Sequence, residues 1–308
     1  MTLSPVLILV FNRPDVTLRL FEALRQMTPP KLYIVADGAR PNVEGEKERC
    51  EAVKQIFENI DWECEVIKLY RPTNMGCDLS IINGISWFFE NEEQGIIFED
   101  DCIPAKSFYD FCNQLLSAHK NNPEIAMISG TTYYDKPISK EHDYFISDFY
   151  FTWGWATWRH VWQVIDWQKR YNPEEVRNKL MITYHNNKKF VDIVYSNVEY
   201  AYRMPHPHWD NIFFINNLFQ NKKVIIPSLN QVNNIGTTGT HFKDSKSQLF
   251  NSKVFEVTYT EDISRNYTYL SVKDTNRLIK NYLKKYFPLT FKDRLYIIKV
   301  RLKKWFFS

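Results

Sequence analysis

The run Glu99-Asp100-Asp101 directly follows an apolar stretch, Gly95-Ile96-Ile97-Phe98. Three adjacent carboxylates repel one another, so a fold that gathers them normally supplies a cation. A hard divalent ion, Mg2+ or Mn2+, suits such oxygens, because it keeps waters, takes one or two protein carboxylates and bridges to substrate phosphates. A nucleoside diphosphate meets that requirement. Two other polar pairs also stand just past apolar runs: Asn12-Arg13 after residues 6–10, and Asp37-Gly38 after residues 32–36. Farther on, His206-Pro207-His208-Trp209-Asp210 offers two imidazoles and a carboxylate, with Pro207 suiting a tight turn better than a metal site. Trp153-Gly154-Trp155 has the character of a sugar-stacking turn. The spacing of Trp155, Trp158 and Trp162 predicts a buried helix face.

These groups are positioned by an alternation of short apolar runs with amphipathic ones. Strands are expected over residues 6–10, 32–36, around Val66-Ile67, 95–98 and 126–129. Helix faces fall between them: Val16, Leu20 and Leu24; Cys50, Val53, Phe57 and Ile60; Leu79, Ile82 and Ile85; Phe108, Phe111, Leu115 and Leu116. Such alternation predicts a doubly wound, Rossmann-like α/β sheet, mostly parallel, whose ligands bind at the carboxyl ends of the strands. All three polar clusters of the first half stand there. From about Tyr144 the chain turns aromatic and irregular, and a strand at Val224-Ile225-Ile226 follows. The polar loop Asn233 to Phe242, with Gly236 and Gly239 as hinges, is the candidate lid, and His241 within it is read either as a contact to a diphosphate or metal or as an ordinary loop histidine.

At 308 residues, with 44% hydrophobic and 24% charged, the chain falls in the globular range, and wholesale disorder is excluded. Five cysteines without paired spacing argue against a disulfide scaffold or structural zinc, and for a reducing compartment. The opening apolar run reads as a strand rather than a signal peptide, and no stretch approaches the ~20 apolar residues that cross a bilayer. The net charge of +3 divides unevenly: residues 273–308 carry +9 and the rest −6. Phe291, Leu295, Ile298, Leu302 and Trp305 form an apolar stripe flanked by cations, so residues 288–308 are expected to lie on an anionic membrane surface. Packing at an oligomer interface is the other reading of this helical basic tail, and nucleic acid is not expected as a partner.

Strand-Asn-Arg, strand-Asp-Gly, strand-Glu-Asp-Asp, Phe151-Thr152-Trp153-Gly154-Trp155 and Trp209-Asp210, in this order, resemble the GT-A glycosyltransferases. The likeness is to N-acetylglucosaminyltransferase I and bacterial nucleotide-diphospho-sugar transferases of the same outline, over residues 4–243. It implies a GT-A domain over 1–245, with a nucleotide-sugar half (1–130), an acceptor half (131–245) and a basic extension over 246–308. It implies Asp101 as metal ligand, and Asn12, Arg13, Asp37, Glu99 and Asp100 around the nucleotide sugar. Asp210 is the implied base, with Trp153, Trp155 and Trp209 on the acceptor side; Tyr134, just past the fifth expected strand, is read from its position as lining the same side. The implied reaction is inverting, metal-dependent transfer of a hexosyl or N-acetylhexosaminyl group, with a UDP-sugar favoured, to a glycan or lipid-linked glycan. Taken alone, the residues leave inversion and retention both open.

With the basic tail, this gives an expectation of a cytoplasmic enzyme, peripheral on the membrane face, in polysaccharide biosynthesis. Two other functions compete. A nucleotidyltransferase needs a Gly-rich phosphate loop after the first strand, where Phe11-Asn12-Arg13-Pro14-Asp15 has no glycine. A non-catalytic saccharide- or membrane-binding protein on the same scaffold would have little use for an intact Asp101 and Asp210.

Overall fold

Five aliphatic residues in succession, Val6–Val10, have no polar face to turn outward, and they form a strand buried along its whole length. In the computed structural model, which describes residues 3–132, 136–236, 254–259 and 262–286, this strand is β1, an interior strand of a large sheet. The elements that follow are α1 (Pro14–Met27), β2 (Lys31–Ala36), α2 (Glu46–Ile56), β3 (Glu65–Tyr70), α3 (Cys77–Asn91), β4 (Gln94–Glu99), β5 (Cys102–Pro104), α4 (Ser107–Ala118) and β6 (Ile125–Ser129). After these come β7 (Tyr144–Ser147), β8 (Trp155–Trp158), α5 (Arg159–Trp162), α6 (Pro173–Thr183), α7 (Lys188–Arg203), α8 (Trp209–Phe219), β9 (Lys223–Pro227), β10 (Val232–Asn234), β11 (Tyr267–Tyr269) and α9 (Val272–Tyr286).

The described strands form a nine-stranded sheet in the order β11-β7-β9-β6-β8-β4-β1-β2-β3. Strands β1 to β4 run parallel, and β6 runs parallel to β9. Into this Rossmann-like, mostly parallel α/β sheet, β8 is inserted antiparallel between β4 and β6, and β7 lies antiparallel to β9. A two-stranded antiparallel ribbon, β5 with β10, stands beside it.

The insertion of β8 corrects the expected tryptophan helix. Trp155 and Trp158 lie on a strand, and only Trp162 falls in the one-turn α5. The three-residue spacing puts Trp155 and Trp158 on opposite faces of the sheet, and both are 1% exposed because a central strand is covered on both sides. Pairing on two edges has overridden local periodicity.

In the basic extension, α9 buries Leu278 and Ile279 and rests Tyr282 on Phe151 and Phe190, while Lys273, Lys280 and Lys284 stay exposed. Tyr134, His241 and the expected tail helix over 288–308 lie outside the described residues. Among the described residues no helix is long and apolar enough to cross a membrane.

Candidate functional site

Because β1, β2, β3 and β4 are parallel, their carboxyl ends bring Asn12-Arg13, Asp37-Gly38, Arg71 and Glu99-Asp100-Asp101 to one edge. Asn12 donates from Nδ2 to Glu46 Oε1 at 2.7 Å. Glu46 is fully buried and also takes the Arg40 guanidinium, Nε to Oε2 at 2.9 Å and Nη2 to Oε1 at 2.6 Å. The Arg40 contact holds the Glu46 carboxyl down at about 2. Asp37 accepts N–H groups from Gly38 (3.0 Å) and Met75 (3.0 Å) and the Asn74 side-chain amide (3.0 Å), so its oxygens tie down the turn after β3. A Cβ on Gly38 would collide with the Thr73 backbone, which is why that turn passes so close. Burial nevertheless pushes the Asp37 carboxyl up, against those N–H donors.

Arg13 turns onto the acidic run rather than outward. Its guanidinium grips Asp100 with Nε to Oδ2 at 3.0 Å and Nη2 on Oδ1, and reaches Asp101 Oδ2 at 3.0 Å. Burial works against the Arg13 charge, but the two aspartates outweigh it and hold the group above its ordinary range. One guanidinium does not neutralise three carboxylates. Burial pushes Asp100 up to about 6 in spite of Arg13. Glu99 goes further: burial first, then Asp101 and Asp100, hold its carboxyl well above the usual range, and its side chain has no hydrogen-bond partner among the described residues. Asp101 is clasped from the other side, since Asn234 Nδ2 donates to its Oδ1 at 3.1 Å and Ile235 N–H to its backbone carbonyl at 2.9 Å. Gly236 packs against the same carboxylate so closely that any Cβ there would meet Oδ2. The first residues of the candidate lid are thus anchored on Asp101.

The fit of a divalent cation can be judged from this donor set. Among the described residues no group of three or more His, Cys, Asp or Glu side chains is placed to hold a metal ion. Hard oxygens short of positive charge, with an orphaned Glu99, fit the other mode, in which one or two carboxylates bind and phosphates and water complete the shell.

Asp210 reaches the same place from another element. It stands in the first turn of α8, whose Trp209 N–H donates to Asp78 Oδ1 in the first turn of α3 at 3.0 Å. The charge of Asp210 bears on Glu99, and the charges of Glu99, Asp78, Asp210 and Asp100 all bear on the Cys77 thiol. Cys77 is therefore surrounded by carboxylates from α3, α8 and the end of β4. The start of α8 is set by stacked rings: Trp209 lies on Trp155 at 5.9 Å and 20°, and Trp155 also meets Phe213 at 5.3 Å. Trp155 in turn pairs with Ile97, two residues before Glu99.

The expected acceptor rings are accordingly divided. Trp155 is 1% and Trp209 6% exposed, so as placed they are a platform under Asp210 and not a sugar-facing surface; burying two indoles against Phe213 and Trp162 outweighs leaving them in water. Trp153 keeps partial exposure. Residues the sequence reading passed over include Glu46, Arg40, Asn74, Asp78, Asn234 and, above all, Arg71. Arg71 stands first after β3, the same signal that singled out Arg13 after β1. Its Nε and Nη2 are buried without a hydrogen-bond partner, and its charge draws on Asp37.

No protein-family model matches this chain, and no curated protein matches it. Solved structures similar to it include HddC from Yersinia pseudotuberculosis (10% identity, 51% of this chain and 77% of that one, TM-score 0.33). They also include 4-diphosphocytidyl-2C-methyl-D-erythritol synthase from Anaerococcus prevotii, at 10% identity, 78% and 94% coverage, and a TM-score of 0.40. A third is apo-UDP-glucose pyrophosphorylase, at 7% identity, 74% and 93% coverage, and a TM-score of 0.37. At such scores these are likenesses of outline, and no chemistry follows from them.

Proposed function

We propose that the chain is a GT-A-type, inverting glycosyltransferase moving a sugar from a nucleoside diphosphate donor, a UDP-sugar by preference, to a hydroxyl of a glycan or lipid-linked glycan. The observation that carries this reading is Asp210. A carboxylate delivered by α8 stands near the undercharged acidic cluster at the carboxyl end of β4, and its Oδ2 has no partner among the described residues. In the proposed step the acceptor hydroxyl gives its proton to Asp210 Oδ2 while its oxygen bonds the anomeric carbon. The bond from that carbon to the diphosphate breaks on the opposite face, and the nucleoside diphosphate leaves with the electron pair. A base so placed is worth roughly 10²–10⁴-fold.

Asp101, with Glu99, would hold a divalent cation, Mn2+ or Mg2+. Such an ion supplies Lewis-acid neutralisation of the leaving diphosphate when bound. Asn12, Asp37 and Arg71 wall the nucleotide side, and the two orphaned Arg71 nitrogens are donors a ligand would satisfy. Residues 288–308 bring the enzyme to an anionic membrane face, so their deletion is expected to release it from anionic liposomes while nucleotide binding persists.

The test is a thermal-shift titration against UDP, GDP, dTDP and CMP with and without Mn2+, since ligands of the native state raise Tm by mass action. A metal-dependent rise with one diphosphate, lost in Asp101→Asn and kept in Asp210→Asn, supports the reading. No rise with any of the four overturns it in favour of a non-catalytic scaffold. Release of pyrophosphate instead of a nucleoside diphosphate from added sugar phosphate and nucleoside triphosphate would make it a nucleotidyltransferase.

A further inference from the structure

Among the described residues, the carboxylate of Asp210 is held by one oxygen only. Its Oδ1 receives His208 Nδ1 at 2.8 Å, Asn211 N–H at 2.6 Å and Asn211 Nδ2 at 2.8 Å. The side chain is 42% exposed and that of His208 19%, so the imidazole stands behind the carboxylate, against the Tyr200 ring of α7 at 5.8 Å. The short contact fixes the tautomer. A carboxylate oxygen only accepts, so at 2.8 Å the facing ring nitrogen must carry a proton, and a neutral His208 has to be the Nδ1–H form. In that form Asn211 Nδ2, 3.2 Å from Nδ1, has no lone pair to donate to there and serves Asp210 instead.

We propose that His208 is a positioning residue for the proton transfer: through Nδ1–H it locks Asp210 by Oδ1, so that Oδ2 alone faces the acceptor, and its own charge sets how readily Asp210 takes the proton. The proposal rests on the transferase reading for its chemistry, while the dyad itself stands on geometry. Among the described residues, the groups facing it include Asp78 on α3, whose Oδ1 holds Trp209 N–H, Tyr200 on α7, and, beyond Asp210, Cys77 and Glu99. The hydrogen bond to Asp210, ahead of the opposing effect of burial, raises the His208 pKa above its ordinary range, so the imidazolium persists toward neutral pH. An imidazolium holds negative charge on Asp210 against the proton that charge must accept. A neutral Nδ1–H ring keeps the geometry and lifts that restraint. Transfer is therefore expected to speed up as His208 loses its proton, giving an acid limb that belongs to an imidazole and not to a carboxylate.

Two measurements on the full chain test this. The first is 15N–1H imidazole NMR with pH, the His208 signal being the one missing in His208→Asn. A neutral ring protonated on Nδ1 is expected, with a midpoint above ~6.5 that falls in Asp210→Asn. A ring protonated on Nε2, or a midpoint indifferent to Asp210→Asn, overturns the dyad whatever the enzyme does. The second is UDP release from UDP-glucose and UDP-N-acetylglucosamine with Mn2+ and a panel of mono- and disaccharide acceptors. His208→Ala is expected to lose on the order of 10²-fold in kcat with KM unchanged, the scale of a misplaced catalytic group. His208→Asn, whose amide keeps a donor near the Nδ1 position, is expected to recover most of kcat above pH 8 and to lose the imidazole limb. Equal loss in both variants, or none in either, overturns the positioning role. No UDP release by the wild type would overturn the transferase reading and leave the NMR result standing.

Discussion

At the ends of β1, β2 and β4 the polar and charged side chains, Glu99 apart, are spent within the protein: Asn12 and Arg40 on Glu46, Arg13 on Asp100 and Asp101, and Asp37 on the turn that follows β3. At the start of α8 the arrangement is reversed. Stacked indoles beneath give the position, and the one carboxylate above them keeps an oxygen open. Charge networks in a partly buried setting are rigid when fully paired and costly when any member is removed. Aromatic packing tolerates a polar change at its exposed rim. One side of the cleft therefore couples its function to stability, and the other separates them.

The sharpest way to break that contrast is at Asp210. Asp210→Asn is expected to cut transfer by about 10²–10⁴-fold while Tm stays within a degree or two of wild type. A large Tm loss would show the α8 side to be coupled as well. Next comes Arg13→Met, which strands Asp100 and Asp101 opposite Glu99. Breaking such a pair costs about 3–5 kcal/mol, read by urea unfolding, and unchanged stability would mean that the carboxylates do not depend on Arg13.

Arg71→Met runs the other way: no described hydrogen bond is lost, so stability should hold, while affinity for UDP falls by about 1.5–3 kcal/mol, as for hydrogen bonds from a charged donor. Equal affinity in calorimetry would remove Arg71 from the nucleotide side. The smallest effect is at Glu46. Its folded pKa, about 2, lies below the unfolded value of 4.5. Its contribution is thus fully present above pH 4.5 and fades as pH falls toward 2. Glu46→Gln should flatten that part of the acid-unfolding curve at a cost of about 1–3 kcal/mol near neutrality.

Much of this was legible before any coordinates. Five buried aliphatics in Val6–Val10 announce an interior parallel strand because nothing else accommodates them, and polar residues directly past such runs must then gather at one edge. What the sequence hides is who answers whom. Arg13 reads as a ligand group by position, and only the pairing of β1 with β4 brings it onto Asp100. The tryptophan spacing suggested a helix because local period cannot register that β4 and β6 wait on either side of β8. His208 read as turn filler, since a contact two residues along depends on how α8 begins.

The antiparallel β8 also settles what happens when the chain is cut. A piece ending at residue 130 would keep β4 with one unpaired edge and β6 with neither of its neighbours, β8 and β9. Rows of open N–H and C=O groups on apolar strands recruit other copies. The segment before residue 131 is thus not a unit of folding by itself. Made alone it is expected to aggregate, and to regain solubility only when a second piece carrying β8 and β9 is supplied alongside it.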